Sequence, residues 1–270
     1  MDTRTIGGHL DGQKTKSVPA LERALAILEM LANARAGLTL AEITRHLGLA
    51  RSSAHYLLLT LERHGYLQRN RQTGRYMFGL KLFSLANTAM SGLSVREQAV
   101  PFLNALREKT RLTVNMAILE HNEVVIIEKV EPPSLFRLAT WVGMRLPVHC
   151  TSMGKALLAY LPEAELDRLL KPGLLHYNEN TIVSSKRLKQ HLAQIRRLGY
   201  AIDDEEATIG LRGIGAPILD LTGRAIASIS VAGTTAEITP ENLSSLAEKV
   251  KQTAVAISQQ IGLDPKELGT

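Results

Sequence analysis

Apolar residues recur at helical spacing through the first sixty positions of this chain and at strand spacing shortly afterwards. Leu21, Leu25, Leu28 and Leu31 fall three or four apart and predict a helix over residues 20–33 with one buried face. Thr39 and Glu42 form a capping box, in which a hydroxyl and a carboxylate satisfy free N–H groups at a helix start. That helix stops at Gly48, because a left-handed residue is easiest for glycine. A further helix from Arg51 turns Ala54, Leu57, Leu58 and Leu61 inward and leaves Arg51, Ser52, Ser53, His55 and Tyr56 outward near its start. Residues 66–69 and 75–78, rich in tyrosine, methionine and phenylalanine, predict a hairpin around a loop that closes on Gly74. Helix, helix-turn-helix and hairpin together describe a winged helix-turn-helix. The exposed start of its second motif helix can enter a DNA major groove and reach base edges.

Residues 79–90 carry Leu80, Leu82, Phe83, Leu85, Ala86 and Met90 on more than one side of a helix, which residues 91–94 interrupt. A helix from Ser94 to about Thr110 contains Pro101, which predicts a bend or restart. Strands and helices alternate beyond it. Residues 114–119 and 124–130 read as a strand pair turning at 121–123, and 136–140 as a third strand. Short helices follow at 154–160 and 162–170, then a basic amphipathic helix at 185–198 ending on Gly199. A hairpin spans 213–219 and 224–232, and a last helix opens at Thr239-Pro240 and reaches about 261. The fold class predicted is α+β. Its parts are a disordered tail at 1–17, a DNA-binding domain at 18–79, a linker helix at 80–95, a sensor-like domain at 96–262 and a tail at 263–270.

Charge sharpens the division. Residues 1–80 hold 11 Lys+Arg against 6 Asp+Glu, a net of +5, whereas residues 81–270 hold 21 against 20. Arg69, Arg71 and Arg75 give the hairpin three positive charges and no negative one. Such a surface suits phosphate neutralisation, although RNA or an anionic membrane would also accept it. The single cysteine, Cys150, excludes an internal disulfide framework and indicates a reducing compartment. No apolar run approaches a membrane span and the N-terminus lacks a signal-peptide core, so a cytoplasmic protein without a membrane partner is expected.

Motifs for chemistry fail on inspection. Gly154-Lys155 resembles the end of a phosphate loop, but His149 stands where glycine is needed and Ala156 where a hydroxyl should ligate magnesium. The glycines of residues 210–215 are in the wrong order for a dinucleotide fingerprint. His149 and Cys150 are adjacent, and neighbours in extended chain point apart. Four consecutive acids at 203–206 could meet a hard cation, but acids in a row more often solvate a loop or helix start. The histidines show no zinc-like spacing. No catalytic residue, metal or cofactor is assigned.

In this order the parts resemble the IclR-type bacterial transcriptional regulators over about residues 18–262. The marks are Ala20-Leu-Glu-Arg-Ala-Leu-Ala-Ile-Leu28, the helix-turn-helix with Gly65-Tyr-Leu, and the stretches 146–156, 199–206, 210–218 and 229–233. The resemblance implies a GAF-like effector domain, binding of double-stranded DNA as a dimer or pair of dimers, and control by a small metabolite. Leu146, Ser152 and Met153 map onto its effector loop, and Asp203, Leu211 and Ser230 match further effector positions. Gly213 stands where many relatives have cysteine, and Ala232 where some have a second serine. Those losses favour a larger or less polar ligand over a very small acid. The stretch 146–154 ends at a helix start, which favours an anion, with Ser230 opposite and Leu146, Met153 and Leu211 as apolar sides. The expected effector is therefore a small carboxylate with an apolar or aromatic body. Self-association through the N-terminal and linker helices on a pseudo-palindromic operator follows from the few base pairs one wing can contact. Two other functions stay open, an enzyme using Cys150 and a purely dimerising C-terminal domain.

Overall fold

Proline at the first helical position starts α1 (Pro19–Ala32), and the Thr39–Glu42 box starts α2 (Leu40–Leu47). Thr39 N donates to Glu42 Oε2 at 2.7 Å and Glu42 N to Thr39 Oγ1 at 3.3 Å. Gly48, at φ 61°, ends α2 in the left-handed region, and α3 (Arg51–Arg63) follows. β1 (Leu67–Arg69) and β2 (Tyr76–Phe78) pair antiparallel with Leu67 opposite Phe78. Ile27, Leu31, Ile43, Leu58, Leu67 and Tyr76 are the core. The buried stripe of α1 thus runs through Ile27 and Leu31. Leu21 and Leu25, expected inside, are 59% and 49% exposed, because the few elements beneath α1 cover only one narrow stripe. α4 (Leu80–Ser91) closes this unit, with Leu80 and Phe83 84% and 71% exposed.

This computed structural model describes residues 17–34, 36–91, 94–133 and 137–262, and the chain divides between residues 92 and 93. The expected tails up to residue 16 and from 263 lie outside the described residues, as does position 136 of the third expected strand.

α5 (Ser94–Thr110) opens the second unit and runs unbroken through Pro101. Proline there removes one helical bond, to the carbonyl of exposed Glu97, so no restart is needed. β3 (Thr113–Glu120) and β4 (Glu123–Val130) pair as expected. The third strand does not lie where the sequence suggested. Residues 137–140 are not a strand, and β5 is Arg145–Pro147, with Leu146 opposite Val124. Lys129 Nζ takes the carbonyls of Leu138 and Thr140 at 3.0 and 2.7 Å, so these groups bond an ammonium rather than a neighbouring strand. α6 (Ser152–Leu158), α7 (Glu163–Leu170) and α8 (Ser185–Leu198) follow. β6 (Ala201–Asp204) is an edge strand that the acidic run had suggested to be loop or helix start. β7 (Leu211–Leu219), β8 (Ala225–Thr234) and α9 (Pro240–Gly262) complete the unit.

The six strands form one antiparallel sheet in the order β5-β4-β3-β8-β7-β6. Alternation sends successive side chains to opposite faces. Val114, Met116, Ile214, Ala216, Ile218, Ile229 and Val231 pack with α5 and α9. The intervening positions of the central strands include Asn115, Gly213, Gly215, Ser228, Ser230 and Ala232, all small or polar, and α6 lies near this face. A Cβ on Gly215 would stand 2.8 Å from the Ser152 backbone and one on Gly154 2.2 Å from Val148 O. Glycine at 215 lets α6 settle against β7, and glycine at 154 lets the start of α6 fold back on Val148, with all seven residues of α6 buried.

Candidate functional site

At the start of α3, Arg51, Ser52, His55 and Tyr56 are exposed and Ser53 is half-buried, while Ala54 and Leu58 enter the core. Ala50 precedes α3 without a side-chain cap, leaving the N–H groups of the first turn open to solvent or phosphate. In the hairpin, Asn70 Oδ1 accepts from the N–H groups of Gln72 and Thr73 at 2.9 and 3.0 Å, which fixes the loop that carries exposed Arg71. Arg69 lies over the Tyr76 ring at 5.5 Å and stays exposed. Arg75, expected at the DNA surface, is engaged within the protein. Its guanidinium donates to Gly37 O at 2.7 Å and to Glu42 at 3.2 and 3.3 Å, which ties the hairpin to α2. The carboxyl of Glu42 is held below its ordinary range, first by the Thr39 bonds and then by Arg75. The capping box thus has a third member that the helix pattern did not reveal.

In the second unit, α6 and the ends of β6, β7 and β8 border a cavity of about 120 Å³. Leu146, Ser152, Met153, Asp203, Leu211, Gly213, Ser230 and Ala232, picked out separately from the sequence, all line it. Asn115, Leu138, Thr140, Thr151, Ala207, Thr208 and Arg212 also line it and were missed. Asn115 had a readable signal, a lone amide in an otherwise apolar strand. The 138–140 stretch gave none, because it is irregular chain.

The polar wall is largely engaged. Thr151 Oγ1 donates to Pro147 O at 2.7 Å and accepts from Gly154 N at 3.2 Å, so one N–H of the α6 start is already capped. Arg212 is paired with Asp204 at 2.6 Å and donates to Ile238 O, so it offers no free cation to the cavity. Asp203 Oδ1 accepts from Glu206 N at 2.9 Å and Ala207 N at 3.4 Å. Burial pushes the Asp203 carboxyl up to about 7, against the opposing pull of Lys155. Ser152 Oγ stands 2.8 Å from where a Cβ on Gly213 would sit. Ser152 thus fills the room that a side chain at 213 would take.

The four acids diverge rather than converge on a cation. Asp203 faces the cavity, Asp204 bonds Arg212, and Glu205 Oε2 accepts from Gly210 N at 2.7 Å. Glu206 is buried against the ammonium of Lys155, which also donates to Ile202 O. Lys155, in the stretch that falls short of a phosphate loop, is wholly buried as a counter-ion. Cys150 is buried and its thiol is pushed up to about 12 by burial and then by Asp203 and Glu206. It stays protonated at neutral pH, which counts against a nucleophile. His149 Nε2 bonds Leu175 O at 2.9 Å, and burial lowers its pKa.

No helix among the described residues is long and apolar enough to cross a membrane. The chain matches the IclR helix-turn-helix domain over residues 20–71 and the bacterial transcriptional regulator IclR C-terminal domain over residues 87–259. It is 34% identical over 247 residues to the HTH-type transcriptional regulator XynR of Escherichia coli K12, covering 91% of this chain and 98% of that one. The crystal structure of Thermotoga maritima IclR aligns with a TM-score of 0.75 at 30% identity, over 90% of this chain and 98% of that one. An IclR homologue from Microbacterium hydrocarbonoxydans, crystallised with 4-hydroxybenzoate, aligns with a TM-score of 0.79 at 27% identity, over 89% and 98% of the two chains. An N-terminal helix-turn-helix, a C-terminal α/β unit and these matches agree, and the chain belongs to the IclR family of bacterial transcriptional regulators.

Proposed function

We propose that this regulator works in the cytoplasm as a dimer or tetramer on a pseudo-palindromic double-stranded operator, and that a small carboxylate in the 120 Å³ cavity sets its affinity for that DNA. The observation that carries the effector reading is the cavity wall, to which separate segments each contribute side chains beside a buried helix. The 4-hydroxybenzoate held by the Microbacterium homologue makes hydroxybenzoates the first compounds to try. Occupied and unoccupied states of different operator affinity would give the control, with effector and DNA coupled reciprocally.

On the DNA side, Arg51, Ser52, Ser53, His55 and Tyr56 are proposed to face the major groove, with Arg69 and Arg71 on the backbone or adjacent minor groove. Arg75, engaged with Glu42 and Gly37, positions the hairpin instead. Arg51→Ala should weaken operator binding by about 1–3 kcal/mol if it reads a guanine. Arg71→Ala should weaken all sequences alike and flatten the salt dependence by about one unit of slope. Gel-shift titrations at several salt concentrations measure both, and wild-type affinity for Arg51→Ala would remove α3 as the reading helix.

On the effector side, a carboxylate placed beside Asp203 is repelled by its charged form and accepted by its protonated form. Binding then takes up a proton. Affinity for 4-hydroxybenzoate should be highest below pH 7 and fall as pH rises through about 7, by up to about tenfold per unit. Calorimetry from pH 6 to 8 tests this, with Asp203→Asn expected to flatten the profile and Ser152→Val and Ser230→Ala expected to weaken binding. Unchanged affinity in both serine variants would place the effector elsewhere, and conversion of the ligand to product would replace the regulator reading with an enzyme.

A further inference from the structure

Two oxygen atoms on the cavity wall have no hydrogen-bond partner in the protein, Asn115 Oδ1 and Thr140 Oγ1. They come from different elements. Asn115 is on β3, opposite Ser230 of β8 and beside the bulge at Met116/Ala117, and is only 2% exposed. Thr140 is on the strap of residues 137–144 between β4 and β5. Buried side-chain oxygens almost always find a partner, and an amide needed only for the fold would bond the backbone around it. Thr151, Asp203 and Arg212, on the same wall, do have such partners. Neither atom is loosely held. Asn115 sits in a strand paired on both sides, and the strap is fixed through Thr140 O and Leu138 O by Lys129, itself paired with Glu131 at 2.7 Å.

We propose that Asn115 and Thr140 are specificity-determining residues, a subsite that receives an O–H or N–H donor of the effector. This rests on the cavity being the effector site. The physical ground is the asymmetry of hydrogen bonding. Both oxygens are already buried without a partner, so a ligand that brings an O–H or N–H makes a bond there that one without a donor leaves unmade. Each bond so made strengthens binding by roughly tenfold. The cavity therefore selects hydroxylated acids over their plain counterparts of nearly equal size, with the body of the ligand against Leu146, Met153 and Leu211.

The chain has one tryptophan, Trp141, next to Thr140 and exposed, so its fluorescence reports on the strap in the intact protein. The test compares matched pairs, 4-hydroxybenzoate with benzoate and glycolate with acetate, by Trp141 fluorescence and calorimetry. It uses full-length wild type, Asn115→Leu, Thr140→Val and Ser152→Val. Wild type should prefer the hydroxylated member of the pair it binds by about tenfold or more. Asn115→Leu and Thr140→Val should each lower affinity for that member toward that of its plain partner, whose own affinity is unchanged. Both should melt at or above the wild-type temperature, because each removes an unpaired polar group. Equal affinities within a pair, or a preference that survives both variants, overturns the subsite. A preference lost in these two variants alongside full binding to Ser152→Val instead faults the boundaries of the cavity reading while upholding the two residues. Should no pair bind, melting decides. A clear loss of stability in both variants shows that the two groups serve the fold and overturns the proposal, and retained or raised stability supports it.

Discussion

Lys155→Met is expected to destabilise the second unit by about 3–5 kcal/mol, the effect of removing one partner from a buried ion pair. Methionine nearly matches the volume, so the loss is electrostatic. Lys155 is wholly buried in α6, and its ammonium answers the Glu206 carboxylate and the Ile202 carbonyl. Glu206 already has one oxygen, Oε2, without a partner, and burial holds its carboxyl above the ordinary range despite the pull of Lys155. Without the lysine both Glu206 and Asp203 lose that pull and rise further. A carboxyl whose folded pKa is raised binds its proton more tightly in the folded state, so stability falls as pH rises from the unfolded value toward the folded one. The deficit of Lys155→Met should therefore shrink as pH drops from 7 toward 5. Adding Glu206→Leu should recover most of it, since an apolar pair avoids the stranded charge. Urea unfolding followed at Trp141, which lies in this unit alone, isolates the effect. Wild-type stability at pH 7 would mean that water reaches the pair.

Nothing local in the sequence marks the role of Lys155, whereas much of the first unit is legible. Local rules carried the first unit: the Thr39–Glu42 box, the Gly48 stop and the inner face of α3 are short-range consequences of residue type and spacing. They did not carry Leu21 and Leu25, because which apolar stripe of α1 is buried depends on what packs beneath it. In the second unit the resemblance to a family supplied Leu146, Asp203 and Ser230, and pattern alone would not have done so. The partnership of Lys155 with Glu206, 51 positions apart, and of Arg75 with Glu42, 33 apart, exists only once the chain is folded. The strap resisted reading for another reason. Its carbonyls bond a lysine side chain, so residues 137–140 have the composition of a strand without a ladder to join.

The small and polar face of the central sheet links these points to function. Gly213, Gly215, Ser228, Ser230 and Ala232 alternate with the apolar residues that meet α5 and α9, so these strands have core on one side and border the cavity on the other, where Ala117, Val124 and Ile126 join a second core with α6, α7 and α8. Gly215 lets α6 approach, and that approach delivers Lys155 to Glu206 and Ser152 to the cavity. Packing and recognition are one arrangement here, and a change to α6 should move stability and effector affinity together.

Leu21→Glu with Leu25→Glu is expected to leave the first unit folded, to separate the protein into species smaller than wild type, and to weaken operator binding by on the order of a thousandfold. Both leucines are about half exposed and lie on one side of α1 with exposed Val18, at the spacing of a helix stripe. The core beneath, built on Ile27, Leu31, Ile43 and Leu58, does not include them. Glutamate there should therefore cost the fold little while placing charge in any surface that pairs two copies. Leu80 and Phe83 of α4 are the second such surface, and Leu80→Glu with Phe83→Glu should act in the same direction. One winged unit offers a single reading helix and a single wing. Its selectivity over bulk DNA depends on a second copy engaging the other half-site at the same time. Loss of pairing should show as half-site binding with a salt dependence roughly halved, because about half the phosphate contacts are gone. Light scattering at micromolar protein and gel shifts on the intact and halved operator measure the two effects. Wild-type mass and full-site affinity in both double variants would move self-association away from the first unit altogether.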